Sequence, residues 1–149
     1  MPEENLLEKL NATFGASPRP STLLVMNDET RKRYAKEVTA LEKMDWEHGV
    51  PSDLYDFYEP NTFLSISGYK YLIPKVFVFC QKWPEIDKDI IAVMKMKPFL
   101  GDTDAFIERF LGEEKPLLWS FLVETHKLTG DDIFEDFGEE ANLLQVKLS

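Results

Sequence analysis

The chain has 149 residues, 44% of them hydrophobic and 13% aromatic, with 27 acidic side chains against 17 lysines and arginines. This length and composition predict a single globular domain, residues 1–149, that folds without a metal or a disulfide, and they exclude a disordered chain. The formal net charge of −10 argues against nucleic-acid and anionic-membrane partners, which need a basic face, and favours a basic protein as partner.

Cysteine usage and the start of the sequence predict a cytoplasmic protein. Cys80 is the only cysteine, so no internal disulfide can form, and its apolar surroundings suit a reducing compartment. The first five residues carry neither the basic nor the apolar stretch of a signal peptide. The longest apolar run is interrupted by Lys70 and Lys75, and it is too short to span a bilayer.

The first third of the chain predicts two helices joined by a proline-containing loop. Apolar residues recur at helical spacing over 6–14, and Gly15 ends that helix. Residues 22–26 predict either a short strand or an extended segment. Asn27 is a good N-cap for a second helix that extends to about Met44. The basic residues of that helix are predicted to pair with glutamates on a solvated face: Arg31, Lys32, Arg33 and Lys36.

The central run, residues 61–80, is the most apolar and aromatic stretch of the chain. A short helix over 52–58 precedes it, opened by Pro51. For the run itself a helix capped by Ser65 or Ser67 and kinked by Pro74 is favoured, because the run is long and no hairpin partner appears. A strand is the alternative, since residues 76–79 have high strand propensity. The predicted inward side chains are Tyr71, Leu72, Val76, Phe79 and Cys80, with Phe77 and Trp83 flanking them.

Three more helices are predicted in the C-terminal half. The first begins near residue 86 and ends at Pro98. Asp102 or Thr103 caps the second, whose apolar residues are Phe106, Ile107, Phe110 and Leu111. Acidic residues and Pro116 begin the third, which Gly130 closes, with Leu117, Leu118, Phe121, Leu122 and Thr125 on its buried face. The whole pattern predicts a mainly α fold, a single compact multi-helix domain with at most one short extended segment near residues 22–26.

Several local motifs resemble one known family. They are Phe14 with Pro18-Arg19-Pro20, Trp46 with Pro51, Phe63-Leu64-Ser65, and Gly68-Tyr69-Lys70-Tyr71-Leu72-Ile73-Pro74. Over about residues 6–125 the chain resembles an uncharacterised bacterial family of small helical proteins, a domain of unknown function. Lys75 departs from the small apolar residues usual there, and the glutamine that often opens the last helix is absent. The resemblance implies a helical fold and carries over no catalytic residue, because the family brings no established activity.

No catalytic residue, metal or cofactor is predicted from the motifs. His48 and His126 lie far apart and lack the spacing of zinc ligands. Cys80 is expected to be an unreactive core residue, since an apolar setting raises the pKa of a thiol. The seven glycines are scattered and form neither a nucleophile elbow nor a phosphate-binding loop.

Two acidic and aromatic segments are the predicted binding surface. The first contains Asp53, Tyr55 and Asp56, and the second contains Asp131, Asp132, Phe134, Glu135, Asp136 and Glu139. Neither has the alternating carboxylates and glycine of a calcium loop. Aromatic side chains among carboxylates suit a protein interface, because the rings supply buried area and the acids steer a basic partner.

These patterns favour a non-enzymatic protein-binding module, of the immunity or inhibitor type, that binds a basic protein. One alternative is a small enzyme or ligand-binding domain whose carboxylates meet in the fold, recognisable by a deep pocket lined by Asp or Glu with shifted pKa values. Another is a helical adaptor or structural subunit, recognisable by an exposed apolar patch and a homo-oligomer.

Overall fold

The computed structural model describes residues 2–15, 20, 23–54, 64–84, 94, 97–99 and 101–149. Within these ranges it shows eight bounded α-helices and no strand, so the predicted mainly α fold is confirmed. The helices are α1 (Pro2–Leu10), α2 (Asp28–Arg33), α3 (Ala35–Glu42), α4 (Ile66–Lys82), α5 (Thr103–Glu108), α6 (Glu114–Leu128), α7 (Ile133–Phe137) and α8 (Glu139–Lys147). A π-helical turn (Asn11–Gly15) extends α1, and two 3-10 turns span Pro51–Leu54 and Lys97–Phe99.

The centre of the molecule is formed by α1, α4 and α6, which pack against one another. The π turn also packs on α4, so Phe14 is buried as the helical spacing predicts. The other helices lie around this centre: α2 packs with α3, and α7 packs with both α6 and α8. The fully buried aromatic side chains are Phe14, Tyr69, Phe77, Phe79 and Phe121.

The central run forms the longest described helix. Ser65 is the N-cap, and its hydroxyl accepts a hydrogen bond from the backbone N–H of Gly68 at 2.8 Å. Residues 76–80 are therefore helical, and the helix continues through Pro74 to Lys82. Two side chains depart from their predicted orientation. Phe77, predicted to flank the inward residues, is completely buried, and Tyr71, predicted to point inward, is only half-buried. A helix held between α1 and α6 buries a wider face than its apolar stripe alone indicates.

The segment predicted to be a strand or extended lies against the start of α4. Leu24 forms an isolated antiparallel bridge with Leu64, and Ser65 N–H donates to the Leu23 carbonyl at 2.9 Å. Gly68 allows this approach, because a Cβ there would lie only 2.5 Å from the Leu23 oxygen. The segment is therefore extended, with one bridge in place of a strand.

The single helix predicted from Asn27 to about Met44 is wrong in one respect. Asn27 is the N-cap, accepting from Thr30 N–H at 2.8 Å, but the helix breaks at Tyr34 into α2 and α3. Tyr34 has φ −108° and ψ 33°, and its ring packs against the core. We attribute the break to this packing, since tertiary contacts override a weak local helix preference.

The helices α5 and α6 follow the predicted signals closely, whereas α7 and α8 were not predicted. Asp102 caps α5, accepting from Ala105 N–H at 3.0 Å, and Gly130 follows α6 with a φ of 81°. Leu111 is exposed, contrary to its predicted place among the apolar residues of α5. It lies past the end of that helix, in the turn before α6, so the helical period no longer points it inward.

Two predicted helices fall mostly outside the described residues. Only Pro51–Leu54 of the helix predicted near residues 52–58 is described, and it is a 3-10 turn. The helix predicted from residue 86 lies outside the described ranges, apart from the buried Met94.

Candidate functional site: the acidic tail surface

The helical hairpin of α7 and α8 positions most of the predicted site residues. Asp132 caps α7, and its carboxylate accepts from the backbone N–H groups of Phe134 at 2.8 Å and Glu135 at 3.3 Å. Gly138, with a φ of 53°, turns the chain between the two helices, a conformation that glycine adopts without strain. Local signals therefore set the start of α7 and the turn between the two helices.

The inner side of the hairpin is anchored by four packed residues. Ile133 is buried, and the Phe137 ring stacks on Phe99 with centroids 3.8 Å apart. Ala141 and Leu144 of α8 are also buried. Because these anchors face the core, the remaining positions of both helices face outward.

The outer side combines apolar and acidic groups. Phe134 is 39% exposed, and its ring lies 5.8 Å from that of Trp119 on α6. On α8, Leu143 and Val146 are 56% and 74% exposed, and their spacing of three places them on one face of the helix. We call the tail surface the set of exposed residues Asp132, Phe134, Glu135, Asp136, Glu139, Glu140, Leu143 and Val146.

The tail surface carries acidic side chains that no lysine or arginine pairs with among the residues that the structure describes. Residues 131–149 contain six carboxylates and one lysine, Lys147. That lysine binds Asp104 of α5 at 2.6 Å. Within the described part of the chain, no lysine or arginine pairs with Glu135, Glu139 or Glu140. The acids of both helices therefore remain open to a partner.

Two other predicted residues are held closer to the protein interior. Asp131 is half-buried at the end of α6. Asp136 has one oxygen 3.8 Å from Nε2 of His126, a fully buried residue. His126 Nδ1 lies 2.7 Å from the Leu122 carbonyl, so Nδ1 carries the proton and donates. The predicted helix C-terminal position of His126 is correct, and its packing gives it a structural role.

Of the first acidic segment the structure describes Asp53 alone. Asp53 is exposed in the 3-10 turn that packs on α3, where it accepts from Val50 N–H at 2.9 Å. The hairpin that carries the tail surface packs instead on α6. Tyr55 and Asp56 lie outside the described residues.

A second candidate site is a groove along the outer face of α4, which the motif analysis did not single out. Its volume is about 430 Å³. One wall is the stripe Tyr71, Pro74, Lys75 and Val78 of α4. We call it the α4 groove; its remaining walls come from the π turn and from Met44, Asp45, Trp46 and Glu47.

Local structure explains how the groove is lined. The Trp46 ring meets the buried Phe79 edge-on, with centroids 5.4 Å apart, which holds the loop against α4. Lys75 Nζ lies 4.0 Å from the centroid of the Tyr71 ring, a cation–π contact at a spacing of four residues. The one signal for this site in the sequence was that Trp46, Tyr71 and Pro74 belong to the family-like motifs.

The Asp45 carboxylate at the groove accepts hydrogen bonds from its own loop. It accepts from the backbone N–H groups of His48 at 2.9 Å and Glu47 at 3.0 Å. The hydrogen bond from His48 N–H is the largest cause that holds the pKa of Asp45 below its usual range, and the bond from Glu47 N–H adds to it. Asp45 therefore stays ionised, whereas a general acid needs a raised pKa.

A partly buried ion pair links α4 to the start of α6. Lys70 Nζ lies 2.9 Å from Glu114 Oε1 and donates to the Arg109 carbonyl at 2.7 Å. Glu114 also accepts from Leu111 N–H at 2.7 Å. Both charges are thus satisfied within the protein, and the pair secures the turn between α5 and α6.

The remaining reactive groups are structural where the structure describes them. Cys80 is buried in α4, and His48 is exposed beside Asp45. In the described ranges, no group of three His, Cys, Asp or Glu side chains is placed to hold a metal ion. None of the described helices is both long enough and apolar enough to span a membrane.

The segment that resembles the bacterial family now has a structural explanation. Gly68 admits the Leu23 backbone, the Tyr69 hydroxyl donates to the buried Met94 carbonyl at 2.6 Å, and Pro74 lines the α4 groove. These residues serve the packing of α4 more than any chemistry. No family model, curated protein or solved structure matches this chain.

Proposed function

We propose that this protein is a non-enzymatic protein-binding module whose tail surface binds a basic protein. The observation that carries the proposal is the exposed apolar set Phe134, Leu143 and Val146, bordered by carboxylates that no described lysine or arginine neutralises. Apolar area supplies affinity in such an interface, and unpaired charge of one sign supplies steering and selectivity.

Charge complementarity identifies the class of partner. A second copy of this chain would bring two acidic surfaces together, and each copy carries a formal charge of −10. A partner with lysines or arginines around an apolar centre would neutralise Glu135, Glu139 and Glu140 while covering the exposed side chains. This argument favours a basic partner over the homo-oligomer expected of a structural subunit.

The arrangement of the carboxylates also favours binding over catalysis. The acids of the tail surface are exposed on two short helices, and the pKa of Asp45 at the α4 groove is lowered. A catalytic acid is favoured by a pocket that raises its pKa. An inhibitor or immunity protein needs only the complementary surface.

Cellular location and family are part of the same proposal. A reducing compartment such as the cytoplasm suits a chain whose single cysteine, Cys80, is buried. Membership in the bacterial family of small helical proteins is supported by the motif over 68–74 and its role in packing α4.

The test uses the proteins encoded by neighbouring genes, each produced separately and tested against this chain by calorimetry. We expect one basic neighbour to bind, with an affinity that falls as salt rises. Reversing Glu135, Glu139 and Glu140 to lysine should abolish binding. Reversing Glu8, Glu29 and Glu108, exposed acids on other helices, changes the net charge equally and should leave most of the affinity.

Two results would contradict the proposal. One is a chain that remains monomeric and binds none of its neighbours. The other is a partner whose affinity falls equally with both sets of reversals, because binding would then depend on overall charge and not on the tail surface. Phe134→Ala, Leu143→Ala and Val146→Ala test the apolar part, and each should weaken binding without changing the salt dependence.

A further inference from the structure

We propose that the α4 groove is a binding site for a monocarboxylate attached to an apolar or aromatic body. The groove lies between α4, the π turn and residues 44–47, whereas the tail surface lies on α7 and α8. The inference therefore goes beyond the proposed function, and either one can fail without the other.

The size and lining of the groove suit a small amphipathic ligand. Its volume of about 430 Å³ is within the range of roughly 300–1,000 Å³ that is usual for ligand pockets. The stripe from Tyr71 to Val78 covers eight residues of helix, and its two ends lie about 10 Å apart, the length of one ring with a short side chain. Met44, Trp46, Pro74 and Val78 offer apolar contact to such a body.

Lys75 is the residue that would bind the carboxylate of the ligand. Its ammonium group lies on the Tyr71 ring, and among the described residues no carboxylate forms an ion pair with it. It is the one lysine or arginine among the residues that line the groove. An ammonium group that is half-buried beside apolar side chains and lacks a carboxylate favours an anionic ligand group.

The acids at the groove select for a single negative charge. Asp45 and Glu47 are exposed residues of the groove lining, and neither forms an ion pair with Lys75; Asp45 accepts hydrogen bonds from its own loop. A dianion such as a phosphate monoester would meet two carboxylates for one ammonium group, and the repulsion disfavours it. A monocarboxylate matches the single positive charge of Lys75 and brings only half the charge of a dianion toward Asp45 and Glu47.

The first experiment uses defined probes with the isotopically labelled protein and follows backbone amide shifts by NMR. The probes are 3-phenylpropionate, the uncharged 3-phenylpropan-1-ol, and phenyl phosphate. We expect saturable shifts in residues 71–78 and 44–47 with the acid, and about tenfold weaker binding of the alcohol and the phosphate. Equal binding of acid and alcohol would overturn the proposal, as would the absence of saturable shifts with the acid.

Point variants distinguish the loss of the Lys75 charge from the loss of the fold. Lys75→Met keeps the length of the side chain and should weaken binding of the acid about tenfold, with no effect on the alcohol. Lys36→Met removes an equal charge from an exposed position on α3 and is the matched control. Val78→Glu adds a like charge at a partly exposed position, so the fold should persist while acid binding is lost. If Lys75→Met binds the acid as tightly as the unaltered protein, the site is not the one proposed.

A carboxylate attached to an apolar body could belong to a free acid or to the C-terminal residue of a peptide. Acetyl-Ala-Ala-Phe with a free carboxylate, compared with its C-terminal amide and with 3-phenylpropionate, distinguishes the two sources. Stronger binding of the peptide acid assigns the groove to a chain end, and stronger binding of the free acid assigns it to a small molecule. Equal binding of peptide acid and amide would contradict the carboxylate requirement.

Discussion

Tyr69 is a tyrosine that the fold buries completely. Its ring is completely buried between Phe106 and Phe110, both in edge-on contact at 5.3 and 6.3 Å, and its hydroxyl donates to the Met94 carbonyl at 2.6 Å. Burial raises the pKa of Tyr69 above its usual range. The neutral phenol is thus part of the folded state.

Replacing Tyr69 by phenylalanine should lower the free energy of unfolding by about 1–3 kcal/mol at neutral pH, because the Met94 carbonyl loses its donor. The pH dependence has a definite sign. Above about pH 10 the unfolded tyrosine ionises while the folded one does not, so the unfolded state binds fewer protons and stability falls, by up to about 1.4 kcal/mol per pH unit.

Urea unfolding between neutral pH and about pH 11 measures this slope. Tyr69→Phe should reduce the loss of stability with rising pH. Tyr71→Phe is the control: it removes the hydroxyl of a half-buried ring at the α4 groove and should leave the contribution of Tyr69 in place. The same alkaline slope in Tyr69→Phe as in the unaltered protein would refute the buried donor.

Phe79 tests whether the central run belongs to the core. It is completely buried in α4 and receives the Trp46 ring edge-on. Phe79→Ala should cost about 3–5 kcal/mol, since it removes a large buried ring and leaves a cavity. Chemical denaturation measures the change, and a loss below about 1 kcal/mol would place the residue outside the core.

At the scale of elements, the start of α4 depends on one glycine. Gly68 lies in the first turn, where the extended segment crosses and Leu23 accepts a hydrogen bond from Ser65 N–H. A Cβ at this position would lie 2.5 Å from the Leu23 carbonyl oxygen, and a backbone atom cannot move aside as a flexible side chain can. The glycine of the motif is therefore required by packing.

Gly68→Ala should destabilise the protein by about 1–3 kcal/mol through this overlap. Gly112→Ala is the matched control, because nothing lies within 4 Å of a Cβ there. The control should be neutral or slightly stabilising, since alanine reduces the entropy of the unfolded chain. Thermal unfolding compares the two variants, and equal midpoints would contradict the close approach.

Secondary structure at this scale was largely predictable. The caps Asn27, Ser65, Asp102 and Asp132 each accept from backbone N–H groups two or three residues ahead, and such signals lie within a few residues of sequence. The break at Tyr34 was not predictable, because it depends on the packing of that ring against distant residues.

At the scale of the whole molecule, one packed centre joins the two ends of the chain. α1 contacts both α4 and α6, and the described buried hydrophobic residues form a single cluster from Leu6 to Leu148. A core shared in this way favours cooperative unfolding. The single domain over 1–149 stays a prediction, which the following experiment tests.

We expect one unfolding transition. Far-ultraviolet circular dichroism follows the helices, and tryptophan fluorescence follows Trp46, Trp83 and Trp119, which lie beside α4, at its end and on α6. The two signals should give the same denaturant midpoint. Separate midpoints would mean that part of the chain unfolds independently and would refute the single domain.

Part of each proposed binding surface could not be predicted from the sequence. The acidic tail was foreseen as a surface, since dense carboxylates stay in water. The exposure of Leu143 and Val146 was not foreseen, because α8 has apolar residues on both sides and only the position of α6 and α7 decides which side is buried. The α4 groove needed three separate segments to meet.

The sequence by itself determined the helical class, the caps of the main helices and the acidic character of the tail. Each of these depends on hydrogen bonds and periodicity over a few residues, or on composition. The tertiary structure decided the break at Tyr34, the fully buried setting of His126, the exposure of the tail's apolar residues and the α4 groove. These features arise from contacts between residues distant in sequence, which no local pattern encodes.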